Sequence, residues 1–184
     1  MKKIILSTLF FVSLFSCKKE DTKTEDGKMA ADSASVSENS KAPEALKMLT
    51  SQETSAFLGK KNDTLYVTNF FATWCGPCVK EIPHFKNKIQ ELNGKPVRIT
   101  FISLDNKEDW NTKVSQFVDE QGIRKNTVLL DGQSLEGNFF ATNFKKWDGG
   151  AIPFTYMRKG DKTDETLGMM SEEQLNEKIN SLLK

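Results

Sequence analysis

The sequence predicts an α/β fold in which a mixed central sheet is covered by helices on both faces. Three observations carry that expectation. From about Leu65 onward, runs of β-branched and aromatic residues alternate with segments of helical apolar period, the order expected of a sheet with crossover helices. The last two strand-like runs follow each other with no helix between them, so a closing hairpin makes the sheet mixed. A Cys-Gly-Pro-Cys tetrad, Cys75 to Cys78, falls at a strand-to-helix junction.

Each element has its own signal. Leu65 to Phe71 is almost continuously apolar or β-branched, as a strand buried on both faces should be. A helix follows from about Cys78 to Leu92 and stops at Asn93-Gly94. Val97 to Leu104 reads as a second buried strand. Asp109 to Gln121 reads as a helix carrying Trp110, Val114, Phe117 and Val118 on one face. Thr127 to Leu130 is a short strand, and Ser134 to Phe144 a helix with Leu135, Phe139 and Phe140. Phe154 to Arg158 is a strand after Pro153, and Glu165 to Gly168 its hairpin partner. Ser171 opens a last helix, with Glu172 and Glu173 in its first turn and Leu175, Ile179 and Leu182 as its stripe. Pro43 to Leu49 has a helical look, with Pro43 at a first helical position.

The start of the chain reads differently. Met1-Lys2-Lys3 is a basic opening, Ile4 to Phe15 a short apolar core, and Ser16-Cys17 a small-residue end. That is the pattern of an export signal. The apolar run is shorter than the ~20 residues a membrane-spanning helix requires. Lys18 to about Ala42 is charged, Ser/Thr/Ala-rich and free of aromatic residues, so it is expected to remain a flexible tether. The expected organisation is therefore residues 1–16 leader, 17–42 tether and 43–184 domain. Without the leader the chain carries 24 basic and 25 acidic residues, which gives a nucleic acid no basic footprint to bind.

The 184 residues contain only three cysteines, too few for a disulfide-stapled scaffold. Two of them form the tetrad. Their spacing at a helix start brings the sulfurs within bonding range, and the unpaired N–H groups there stabilise a thiolate. Cys75 is thus expected to be the nucleophile, with Cys78, one turn in, shielded and resolving the mixed disulfide. Pro77 suits a first turn, where a missing N–H costs nothing. Half a zinc site is the competing reading, but His84 is the one histidine and no further free thiol is offered. A purely structural disulfide would close almost no loop. Neither metal nor cofactor is expected.

Phe71-Ala72-Thr73-Trp74-Cys75-Gly76-Pro77-Cys78 resembles the active-site segment of the thioredoxin superfamily. Continued through Glu81-Ile82-Pro83, the phrase is most similar to the TlpA/ResA branch of exported, membrane-tethered disulfide reductases. The resemblance covers the chain from about Leu65 and implies a thioredoxin-like fold and a thiol–disulfide oxidoreductase. It implies that Pro153 is a cis-proline and that the backbone of Ile152 faces the cysteines and pairs with substrate; a trans proline opening a strand is the alternative. Trp74, Gly76 and Pro77 belong to the same contact surface. Asn69 stands where many cytosolic thioredoxins carry a buried aspartate, and Glu81 is the implied proton-handling group in its stead, against the alternative of a solvated helix glutamate. Pro83 implies a kink in the helix. Trp147 has two readings, lining the groove or packing, and His84 reads as a surface helix residue.

Leu14-Phe15-Ser16-Cys17 resembles a bacterial lipobox, which implies a lipid on Cys17; an ordinary leader with an incidental cysteine is the other reading. The resemblance places the domain in the cell envelope, facing periplasm or cell surface. It implies oxidised protein substrates such as apocytochrome c and an integral-membrane electron donor. The Gly-Pro dipeptide matches thioredoxin, at about −270 mV against about −120 mV for a strong periplasmic oxidant, and so favours reduction. A non-enzymatic thioredoxin-fold binding lipoprotein, a copper-delivery module and a peroxide reductase are the rivals; the cysteine pair, the lone His84 and the motif weigh against them in turn.

Overall fold

A computed structural model describes residues 44–135 and 137–184. The leader, Cys17, the tether and Pro43 lie outside the described residues. Six strands form one sheet in the order β1-β4-β3-β2-β5-β6. They are β1 (Lys47–Leu49), β2 (Leu65–Phe71), β3 (Val97–Ser103), β4 (Thr127–Leu130), β5 (Phe154–Lys159) and β6 (Lys162–Leu167). The first four run parallel, while β5 is antiparallel to both β2 and β6, so the sheet is mixed. The helices are α1 (Ser51–Leu58), α2 (Gly76–Glu91), α3 (Ser115–Glu120), α4 (Gly137–Asn143) and α5 (Glu172–Leu183).

β2 is the central strand and all seven of its residues are buried. Its alternation divides the interior. Leu65, Val67 and Phe71 pack with Ile82 and Phe85 of α2 and with Leu175, Ile179 and Leu182 of α5. Phe70, on the other face, packs with Leu58 of α1, Phe139 of α4, Phe144, Trp147 and Phe154. Asn69 has the parity of Val67 and Phe71 and therefore looks toward α2, where its amide meets a helix side chain.

Two elements correct the sequence expectation. The stretch expected to be helical at Pro43 to Leu49 ends in a strand, Lys47–Leu49, paired in parallel with Val128–Leu130. A partner 81 residues away decides this segment, against weak local propensity. The next helix, α1, goes unread from periodicity, though it opens with a capping box: Thr50 caps the Glu53 N–H and Glu53 returns to the Thr50 N–H. The helix expected over Asp109 to Gln121 is there, but begins as a 3₁₀ turn at Lys107–Asp109 and a π turn at Trp110–Val114 before α3. Trp110 donates its indole N–H to the Asp105 carbonyl at 2.8 Å, tying that irregular start to the end of β3.

Candidate active site

The cysteines lie at the carboxyl end of β2, where an open α/β sheet leaves its crevice. Cys75 is the N-cap of α2 and Cys78 sits in its first turn, with Pro77 between them. The two are joined as a disulfide, and the Cys78 N–H points at Cys75 Sγ over 3.3 Å. Cys78 has no exposure, whereas Cys75 keeps 6%. Of the two sulfurs at the helix start, Cys75 is thus the more accessible. An unpaired N–H aimed at Cys75 Sγ is the interaction that would stabilise its thiolate.

The Ile152–Pro153 peptide is cis, and Ile152 O lies 3.7 Å from Cys75 Sγ. Between this loop and the motif runs a groove of about 490 Å³, walled by Trp74 to Pro77 on one side and Gly149 to Ile152 on the other, with Leu104 at its end. Trp74 is 72% exposed, a large apolar surface left in solvent beside the reactive sulfur. No charged side chain lines the groove. Its contacts are suited to an uncharged extended segment flanking a substrate disulfide.

Glu81, one turn after Cys78, is fully buried, which removes the reading of a solvated glutamate. Its Oε1 accepts from Asn69 Nδ2 at 2.7 Å and its Oε2 from the Met170 N–H at 2.9 Å. Burial pushes the Glu81 carboxyl up from 4.5 to about 7, against the opposing pull of these two hydrogen bonds and of His84. Asn69 Nδ2 also donates to Thr155 Oγ1 at 3.1 Å, and Asn69 Oδ1 is left without a partner. Asn69 and Glu81 therefore form one buried unit behind the cysteines. His84 is half-buried, its Nδ1 3.0 Å from Met170 O, and so belongs to the same unit. Met170 contacts both side chains through its backbone, which no side-chain pattern could reveal.

Two residues support the site, and the first escaped the sequence reading. Asp105, buried just past β3, accepts from the Thr73 N–H at 3.0 Å, from Thr73 Oγ1 at 2.6 Å and from Ser103 Oγ at 2.9 Å. It anchors the residue that leads into Trp74 and Cys75. A signal was available, since the first acid after a strand parallel to β2 must fall near the same sheet end. The second support is Trp147. It stacks on Phe154 at 4.4 Å and donates Nε1–H to Ala151 O at 2.8 Å. Of its two readings, packing places its ring and the indole N–H fixes the groove wall. Gly149 completes that wall: it has φ +88°, and a Cβ there would fall 2.4 Å from Phe140 Cζ.

Fold and site together define a thioredoxin-like domain carrying a disulfide of the redox-active Cys-X-X-Cys kind. Residues 35–151, more than half of the chain, match the Redoxin family, and the chain belongs to that family. It is similar to the thiol-disulfide oxidoreductase ResA of Bacillus thuringiensis, 28% identical over 58% of this chain and 57% of that protein. It is also similar to ResA of Bacillus subtilis, 25% identical over 79% of this chain and 76% of that one. The chain thus spans little more than half the length of the first of these relatives. Among solved structures, a thioredoxin-family thiol:disulfide interchange protein from Chlorobium tepidum superposes with a TM-score of 0.54 at 22% identity, covering 71% of this chain and 85% of that one. That likeness shows the fold.

Proposed function

We propose that this chain is an exported, membrane-tethered thiol–disulfide oxidoreductase that reduces protein disulfides. The observation that carries the reading is the Cys75–Cys78 disulfide at a helix N-terminus, with one sulfur shielded and the other opening on an uncharged groove. In the reduced chain, the Cys75 thiolate attacks a substrate sulfur. A mixed disulfide forms and one substrate thiolate leaves. Cys78, once deprotonated, attacks Cys75 Sγ, releases the second substrate thiolate and closes the internal disulfide. Two electrons pass to the substrate, and a dithiol donor must return them. The Cys78 proton needs an acceptor in a buried place. Glu81, one helical turn on and with a pKa of about 7, is the group positioned for it. The sequence phrase through Glu81, the leader and Cys17 supports an envelope reductase fed by a membrane donor and acting on proteins such as apocytochrome c.

The test is a trap. In a Cys78→Ser chain, substrate proteins should accumulate as mixed disulfides on Cys75, while Cys75→Ser should hold none. A Cys78→Ser chain that captures no protein, while the wild type fails to reduce a protein disulfide in the presence of excess dithiol, defeats the catalytic reading. The anchor is tested separately, by lipid labelling of the wild type that Cys17→Ser should abolish.

A further inference from the structure

The domain is electrically neutral: from residue 44 onward it carries nineteen basic and nineteen acidic residues. Its charges are not evenly spread. At the end of the sheet opposite the cysteines lies a second cleft, of about 460 Å³. Lys47, Lys60, Lys95, Arg98 and Lys125 line it, and no carboxylate does. All five are exposed, and none is in an ion pair among the described residues. A sixth cation, Lys88, is buried and paired with Glu91. Glu53, beside Lys47, is already engaged by Thr50. Between the cations the lining mixes apolar side chains, among them Leu49, Phe57, Ile89 and Val128, with the polar Asn93, Thr100 and Asn126.

The parallel register places this cleft. Cys75 follows the carboxyl end of β2, whereas the cleft runs along the amino half of β3, Val97 to Thr100, which β4 leaves unpaired, and is bounded by Lys47 and Asn126 where β1 and β4 begin. Val97 is level with Leu65, a full β2 length or about 20 Å from the cysteine end, while Val128 and Lys47 are level with Phe70 but lie two and three strands to the side. An occupant of the cleft leaves the disulfide free. The chain also enters the domain here, for Arg124, next to Lys125, holds the Glu44 carbonyl at 2.8 Å.

We propose that this basic end is a docking surface for an anionic phospholipid bilayer, which turns the Cys75–Cys78 disulfide away from the membrane. The proposal rests on the tethered reading of the chain. Clustered cations without carboxylates match a layer of phosphates, and each Lys or Arg at such a surface adds to the attraction. The 26 residues between Cys17 and Glu44, if they are the linker their composition suggests, reach about 30 Å. That is enough to let the cleft meet the surface that holds the anchor, and the exit point sits on the cleft's own rim.

The test uses the unlipidated chain from residue 17, which keeps every described element. It compares vesicles of phosphatidylcholine alone with vesicles containing about one third phosphatidylglycerol. Binding should appear with the anionic lipid only and fall at least about tenfold between ~0.1 M and ~0.5 M NaCl. The triple change Lys95→Glu, Arg98→Glu, Lys125→Glu should abolish it. Lys80→Glu, Lys107→Glu, Lys146→Glu, which removes the same charge toward the cysteine end, should retain most of it. Thermal unfolding of both variants shows that each is folded. Equal binding to the neutral vesicles, equal loss in the two variants, or capture of free pyrophosphate without vesicle binding overturns the proposal. None of these outcomes depends on Cys17, so failure of the anchor would show in the lipid labelling and failure of the surface here.

Discussion

Replacing Glu81 by glutamine should change how stability depends on pH, and the size follows from its burial. The carboxyl is held at about 7 in the folded chain against 4.5 when unconstrained. At about 1.4 kcal/mol per pH unit, keeping Glu81 ionised in the fold costs about 3 kcal/mol. A carboxyl with a raised folded pKa incurs nothing below the unfolded value. The cost grows as pH climbs from about 4.5 to about 7 and is constant above. Wild-type stability should therefore fall across that window by about 3 kcal/mol from this group alone. The glutamine of the Glu81→Gln variant carries no charge. Its carbonyl can accept from the Met170 N–H, and its amide can donate to Asn69 Oδ1, the buried acceptor that now lacks a partner, once the Asn69 amide turns over. The variant should match the wild type below about pH 4.5 to within about 1 kcal/mol and exceed it by about 3 kcal/mol at about pH 8. Urea unfolding of both disulfide-bonded proteins across about pH 4 to 9 reads the difference. A gap that stays constant with pH refutes the buried-carboxyl account. Unchanged cysteine titration and reductase rate in Glu81→Gln would remove its role as proton acceptor even if the stability result held.

Three other outcomes are expected. Asp105→Ala leaves the Thr73 N–H and the Thr73 and Ser103 hydroxyls without their acceptor and should cost about 3 kcal/mol of stability, read as a lowered Tm, with faster alkylation of Cys75 in the reduced chain. Trp147→Phe keeps a ring on Phe154 but loses the donor to Ala151 O; KM for a protein disulfide should rise about fivefold, the equivalent of about 1 kcal/mol, while reaction with oxidised glutathione, too small to need the groove wall, stays unchanged. Gly149→Ala should lose more than Trp147→Phe with the protein substrate, because its Cβ meets Phe140 and its φ is left-handed; equal activity to the wild type would show that the wall yields without cost.

The parts of this fold that sequence alone revealed are those whose signals are local. β2, α2, β4 and α5 announce themselves by apolar period, by Asn93-Gly94 or by the Ser171 cap, and the structure places them within a residue or two. β1 could not be read this way. Three residues have no period, and their state is set by pairing with Val128–Leu130. The same distinction runs through the site. Cys75, Cys78 and Pro153 stand in a motif or a loop whose meaning is carried by the residues beside them. Asp105 and Trp147 act across the fold, on Thr73 and on the Ala151 carbonyl, and the topology that brings them there had to be known first.

Glu81 joins the two cases. Its spacing from Cys78 shows that it can face the pair, but not that it is buried, because an exposed helix glutamate would have the same spacing. Asn69 resolves the ambiguity once parity is considered. A buried amide on the α2 side of the central strand needs polar partners; Thr155 on β5 supplies one at 3.1 Å, and Glu81 on the facing helix supplies the shorter one at 2.7 Å. An acid on β2 would be held by the sheet. An acid on α2 is held by the helix and by the Met170 backbone that leads into α5. The Glu81 carboxyl is thereby coupled to the packing of the last helix against the second, so changes at the Met170–Ser171 junction should move the Glu81 titration without touching either cysteine.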